Sequence, residues 1–184
     1  MERTKNYYIF LLVIAMNSFL GAQPKKLEAV KNESYIMYQL THPLHEVEAT
    51  SKSALCLVEA DIAKKEIKRV AVRVGVMSFN SGNSNRDSHA MEVVEAIKFP
   101  DAIFQSKSIV QKGDSLEVSG ELTFHGITKD VVVSAFPKWS KDKLVVDGNF
   151  DISLTAFHIE RPSLLLIPVK DALKFTLSQV FNLP

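Results

Sequence analysis

The sequence predicts an all-β fold, an antiparallel barrel of about eight strands with one short helix. The first observation behind this is the stretch 116–135, LEVSGELTFHGITKDVVVSA. Leu116, Val118, Gly120, Leu122 and Phe124 alternate there with Glu117, Ser119, Glu121 and Thr123, the period-2 pattern of a half-buried strand. His125-Gly126 breaks the run, and Val131, Val133 and Ala135 resume it, which makes a hairpin. The second observation is the placement of Gly120 and Gly148 on the apolar sides of their strands, where a missing side chain permits the bending that a closing sheet needs. The third is spacing: short one-sided strands bounded by turn signals recur along the chain, with no repeat or low-complexity tract.

Residues 1–22 read as a cleaved export signal, and 23–184 as a single domain. Arg3 and Lys5 supply a positive start, 7–16 (YYIFLLVIAM) is an apolar run, and 17–22 is small and polar, ending in a cleavage site before Gln23. The apolar run is shorter than the roughly 20 residues of a spanning helix. The expectation is an exported protein, periplasmic or secreted, with a retained N-terminal anchor as the alternative.

Residues 23–34 are polar and basic, a loose entry into the domain. The first strand is 35–40 (YIMYQL). Pro43 follows and is barred from a central ladder position. His42 and His45 find no third ligand at matching spacing, so they read as loop or edge histidines. A second strand covers 53–62. The clearest is 67–76 (IKRVAVRVGV), with Val70, Val72, Val74 and Val76 on one face and Arg69, Ala71 and Arg73 on a wet one. After a turn-rich stretch, Ser84-Asn-Arg-Asp87 fits a capping box with Ser84 as N-cap. The helix it opens puts Met91, Val94 and Ile97 on one side and ends near Phe99-Pro100. In 103–111, Phe104, Ser106, Ser108 and Val110 share a face. Leu144, Val146, Gly148, Phe150, Ile152 and Leu154 form the strand after the hairpin and its 139–143 turn. Leu173, Phe175 and Leu177 share a face of the last strand, 172–181.

Composition excludes several functions. Twenty-two basic against 21 acidic side chains, with no strongly basic run, argue against nucleic-acid binding by phosphate neutralisation. Cys56 is the single cysteine, so no intrachain disulfide forms, and in Ala54-Leu-Cys-Leu-Val58 it reads as a small buried hydrophobe. No P-loop, G-x-G-x-x-G, H-E-x-x-H or G-x-S-x-G occurs. The expectation is a protein without cofactor, metal or catalytic residue. Arg86, Asp87 and His89 invite a charge-relay reading, but no nucleophile lies beside them, and a structural salt bridge and a cap account for them better. A weaker rival is an enzyme that gathers His89, His125 and Arg86 at the barrel mouth.

The chemistry that remains is apolar burial. Val70, Val72, Val74, Phe104, Val118, Leu122, Val133, Val146, Phe150 and Phe175 are the expected barrel lining. They either fill the interior, leaving an envelope adaptor for a protein partner, or line a cavity for a long apolar ligand. Each methylene buried in such a cavity contributes roughly 0.8 kcal/mol. Small inward residues at Gly120, Gly148, Ala135, Ser106 and Ser108 favour the open interior. Leu164, Leu165, Leu166 and Ile167 read either as a buried connecting segment or short strand, or as an apolar lip that touches a membrane or a ligand tail.

The run Gly120-Glu-Leu-Thr-Phe-His-Gly-Ile-Thr-Lys129, followed by Val131 and Val133, resembles the signature hairpin of the YceI-like proteins. Ser78-Phe79, Arg86-Asp87-Ser-His89 and Phe99-Pro100-Asp-Ala-Ile-Phe104-Gln-Ser106 are similar to the family's middle block, and 150–159 and 169–177 to its closing strands. Thr41-His42-Pro43 and Val47-Glu-Ala-Thr-Ser51 stand where members often carry a His-Ser pair and a Gly-x-Phe segment. The resemblance implies a lipocalin-like barrel that binds a polyisoprenoid or quinone-type lipid in a bacterial periplasm. Arg86, Asp87, His89, His125 and Lys129 are then structural motif positions. The oligomeric state is left open, a dimer included.

Overall fold

The computed structural model describes residues 23–184; the expected export segment, residues 1–22, lies outside the described residues. The alternating stretches all form strands: β1 (Lys25–Glu28), β2 (Tyr35–His42), β3 (His45–Ser51), β4 (Leu55–Asp61), β5 (Glu66–Gly75), β6 (Asp101–Lys112), β7 (Ser115–Phe124), β8 (Ile127–Trp139), β9 (Lys143–Ser153), β10 (Ser163–Leu164), β11 (Ile167–Pro168) and β12 (Ala172–Asn182). Helix α1 (Ser84–Val93) sits between β5 and β6. Ten strands form one strongly curled antiparallel sheet in the order β1-β4-β5-β6-β7-β8-β9-β12-β2-β3, and β10 pairs with β11 as a separate small hairpin.

The curl has local causes. A Cβ on Gly120 would overlap the Gln105 carbonyl oxygen and come within 2.7 Å of the Phe104 ring, so only glycine lets β6 and β7 approach there. The ladder register also shifts between Glu59 and Ala60 in β4, and between Ser106 and Ser108 in β6. Each extra residue bends its strand and increases twist. The sheet turns far enough for Ala29, just past β1, to bridge Phe181 of β12, while Val30 N–H donates to Val180 O at 2.7 Å. At the other edge, Thr50 of β3 and Asn80 exchange backbone hydrogen bonds of 3.0 and 3.1 Å.

Two core clusters occupy opposite ends of the barrel. One gathers Leu116, Val118, Val133, Leu144 and Phe181, with Leu144 and Phe181 wholly buried. The other gathers Leu122, Phe124, Ile152, Leu154, Phe157 and Leu173 beneath the 154–171 loop. Burial of side chains this size contributes roughly 1.5–3 kcal/mol each.

All eight expected strands are present. The count is higher because β1 lies in the stretch read as a loose entry, β3 between the first two expected strands, and β10 and β11 in the 163–168 stretch. β1 and β3 edge the sheet, where one side of the ladder is free and little apolar patterning is required. The N-cap is Asn83, not Ser84: its side-chain oxygen accepts from Arg86 N–H at 3.1 Å. The helix ends at Val93, ahead of Phe99-Pro100, and turns out through Glu95 at φ 46°. Ile97 is consequently 94% exposed and does not share a buried side with Met91 and Val94. In β6 the shift at Ser106/Ser108 flips the alternation, so Ser108 and Val110 face solvent while Ile109 packs against the core.

Candidate ligand cavity

The inner faces of the curled sheet do not meet. Between them lies a cavity of about 220 Å³, and all ten side chains expected as lining border it. Val74, Val118, Leu122, Val133 and Val146 are buried. Val70, Val72, Phe104, Phe150 and Phe175 are half-buried, although their strand faces point inward. Phe150 and Phe175 stack at 4.8 Å and 7° across the β9–β12 ladder, and Tyr38 meets Phe175 edge-on at 6.5 Å. Cys56 borders the same space; burial pushes its thiol up to about 12, so it behaves as a hydrophobe.

α1 lies at one end of this space, lining it through Ala90, Met91, Val93 and Val94, with Ile159 and Pro162 from the 154–171 loop. The opposite end is filled by Leu116 and Phe181, so the α1 end is the mouth. Only three lining side chains carry oxygen or nitrogen: Tyr38, Asp87 and Gln179. Burial, and then the Asp87 carboxylate, raise the Tyr38 hydroxyl above the usual tyrosine range, partly offset by the Arg86 charge. The hydroxyl therefore stays neutral.

Of the polar motif residues, Arg86, Asp87 and His125 are held in hydrogen bonds to loop and turn groups, while His89 and Lys129 are exposed. Arg86 and Asp87 do not pair with each other; both grip Ser81. Arg86 Nε donates to Ser81 Oγ at 2.9 Å and its terminal nitrogen to Ser81 O at 2.8 Å, while the Asp87 carboxylate accepts Ser81 N–H at 3.1 Å. His89 is exposed and 3.9 Å from Glu92. His125 faces Phe157 O at 2.9 Å through Nδ1 and Glu95 at 3.0 Å through Nε2, at the turn between β7 and β8. Lys129 is exposed opposite Leu122, beyond the point at Ser134 where β8 begins to pair with β9. Arg86, His89 and His125 thus have separate partners and form no common cleft.

The run 164–167 is not a buried connection. Leu164 pairs with Ile167 around a two-residue turn, with Leu165 at φ 52° and Leu166 at φ 67°. Leu165 is 76% and Leu166 97% exposed. The hairpin is fastened to the β2–β3 turn: His42 Nδ1 accepts Leu44 N–H at 3.2 Å, leaving Nε2 to donate to Ile167 O at 2.9 Å. Lys170 N–H adds a bond to Thr41 O at 2.8 Å. Exposed Leu44 stands beside it, so the mouth carries an apolar lip.

Sequence reasoning missed Tyr38 and Gln179. Gln179 was legible: it continues the Leu173, Phe175, Leu177 alternation as its one polar member.

The curled sheet recurs elsewhere. A Burkholderia cenocepacia protein, BcnA, has the same fold, with TM-score 0.75 and 21% identity over 83% of this chain and 98% of that one. A polyisoprenoid binding domain from Saccharophagus degradans, implicated in plant cell wall breakdown, superposes with TM-score 0.66 at 9% identity, over 88% of this chain and 99% of that one. A UPF0312 protein of Pseudomonas fluorescens is 32% identical over 111 residues, which span 55% of this chain and 58% of the relative's length. The model of the YceI-like domain matches residues 28–181, and the chain belongs to that family.

Proposed function

We propose that the protein is an exported lipid binder that holds a long apolar chain, of the polyisoprenoid or quinone class, inside its barrel. The observation that carries this is the cavity itself: an interior bordered by aliphatic and aromatic side chains with three polar groups among them. Such a site discriminates against charged or sugar-like ligands, whose polar groups would be desolvated without partners. It favours a chain whose methyl and methylene groups leave water. The polyisoprenoid-binding neighbour supports the class of ligand. The positive start and apolar run of residues 1–22 support export to the periplasm or beyond. Two leucines at the tip of the lip suit insertion between lipid headgroups, so the mouth meets the membrane from which the ligand comes. Nothing in the reading calls for catalysis: His42 and His125 are engaged with loop carbonyls and Arg86 with Ser81.

The test is mass spectrometry of an organic extract from the protein, purified from bacterial envelopes without detergent. A stoichiometric polyprenyl or quinone-type species is the expected result. An empty extract from well-folded protein would overturn the reading in favour of an adaptor for a protein partner.

A further inference from the structure

Gln179 is the anomaly of the cavity. It lies on the inner face of β12 between Leu177 and Phe181, is 3% exposed, and borders the interior. Its Nε2 donates to Tyr35 O at 3.0 Å. Its Oε1 is buried with no hydrogen-bond partner among the described residues, the only buried side-chain oxygen or nitrogen so placed. The amide cannot resolve this by turning over, because that would set Oε1 against the Tyr35 carbonyl, two acceptors face to face. A methionine or leucine would occupy the position without stranding an acceptor. Gln179 lies seven residues along β12 from Ala172, about 23 Å down the strand from the mouth. Tyr38 and Asp87 stand with α1 at the other end, and the Asp87 carboxylate is engaged with Ser81.

We propose that Gln179 Oε1 is the receptor for the polar end of the ligand and accepts a hydrogen bond from its hydroxyl. This rests on the lipid-binding reading and narrows it in two ways. The ligand must offer an O–H donor, as an isoprenoid alcohol or a prenylated hydroquinone does. A quinone, whose carbonyls only accept, does not qualify. The ligand also enters polar end first, its chain running back towards α1 and the lip.

The test is affinity of the purified protein for two matched pairs of probes, measured anaerobically by displacement of an apolar fluorescent dye. One pair is farnesol and its methyl ether. The other is a hydroquinone with a farnesyl tail and the corresponding quinone. The donor member of at least one pair should bind about tenfold more tightly to the wild type, and the pair with the larger ratio identifies the source of the hydroxyl. The ratio should fall to about one in Gln179→Met, with Gln179→Leu as a second apolar variant should the first fold poorly. Equal affinities within both pairs, or a preference that survives both variants, overturns this inference alone. Failure of all four probes to bind the wild type overturns the lipid-binding reading and this inference with it.

Discussion

Two hairpins in this molecule make the same turn with opposite chemistry. β7 and β8 are joined by His125-Gly126, at φ 50° and 72°, and β10 and β11 by Leu165-Leu166, at φ 52° and 67°. Consecutive positive-φ residues match the twist of the flanking strands, which is why Asn-Gly and similar pairs dominate such turns. In the first hairpin the geometry is supported. Gly126 has no Cβ to clash, and the His125 ring is held by Phe157 O and Glu95 while Phe99 packs edge-on at 4.8 Å. In the second, two leucines accept a conformation that costs a residue with a Cβ roughly 1–2 kcal/mol, and they gain no burial for it. A turn kept against its own propensity, with its side chains held out in water, is the cost that the proposed membrane contact would repay.

The supported hairpin should break most easily. Gly126→Val would place a Cβ 2.5 Å from the Phe99 ring at a positive φ, and should destabilise the protein by about 3 kcal/mol or more, read as a lowered urea midpoint. An unchanged midpoint would show that the β7–β8 turn is not pinned. His125→Ala should cost about 2 kcal/mol, because Phe157 O loses its ring partner beneath the loop. The unsupported hairpin should respond in the opposite direction. Leu165→Asn with Leu166→Gly should raise stability by roughly 1 kcal/mol or more, while abolishing sedimentation of the protein with phospholipid vesicles. Stabilisation without loss of vesicle association would detach the lip from membrane contact.

The smallest effect expected is a pH dependence at the base of the second hairpin. The Ser153 hydroxyl and the Thr155 N–H hold the Asp171 carboxylate below its usual range, in that order of importance. A group depressed in the folded state contributes stability that is present above its unfolded pKa and lost as pH falls. Thermal midpoints should therefore decline from about pH 5 to about pH 3, and the decline should be shallower in Asp171→Asn. Parallel curves for the two proteins would remove Asp171 from the account.

The wall of the barrel was readable because its strands are wet on one side. Val70, Val72 and Val74 alternate with Arg69 and Arg73, and that alternation alone identifies the side chains that border the cavity. It failed where one residue was added: Ser106-Lys107-Ser108 looks like unbroken alternation, yet the shift there sends Val110 outward and Ile109 inward. Edge strands such as β3, HEVEATS, escape a hydrophobic pattern because they need little of one. The Leu165-Leu166 turn was illegible for a different reason. Nothing in two adjacent leucines signals positive φ, and an apolar run is normally evidence of burial. Whether the interior was full or open depended on distances across the barrel, which no single strand encodes.

The bridge between Ala29 and Phe181 has a kinetic meaning. Strands β4 to β9 each pair with the next along the chain, all but β5 and β6 through short connections, so most of the wall can assemble locally, whereas this contact joins the two ends of the described chain. Closing so long a loop is entropically expensive and rewarded only when the rest is in place. The seam should accordingly zip last and unzip first. The amides of Ala29 and Val30 should exchange with solvent well before those of β7, and a ligand that bridges the walls should slow them selectively. The two ends of the described chain would then act as a drawstring, set by whether the bag is full.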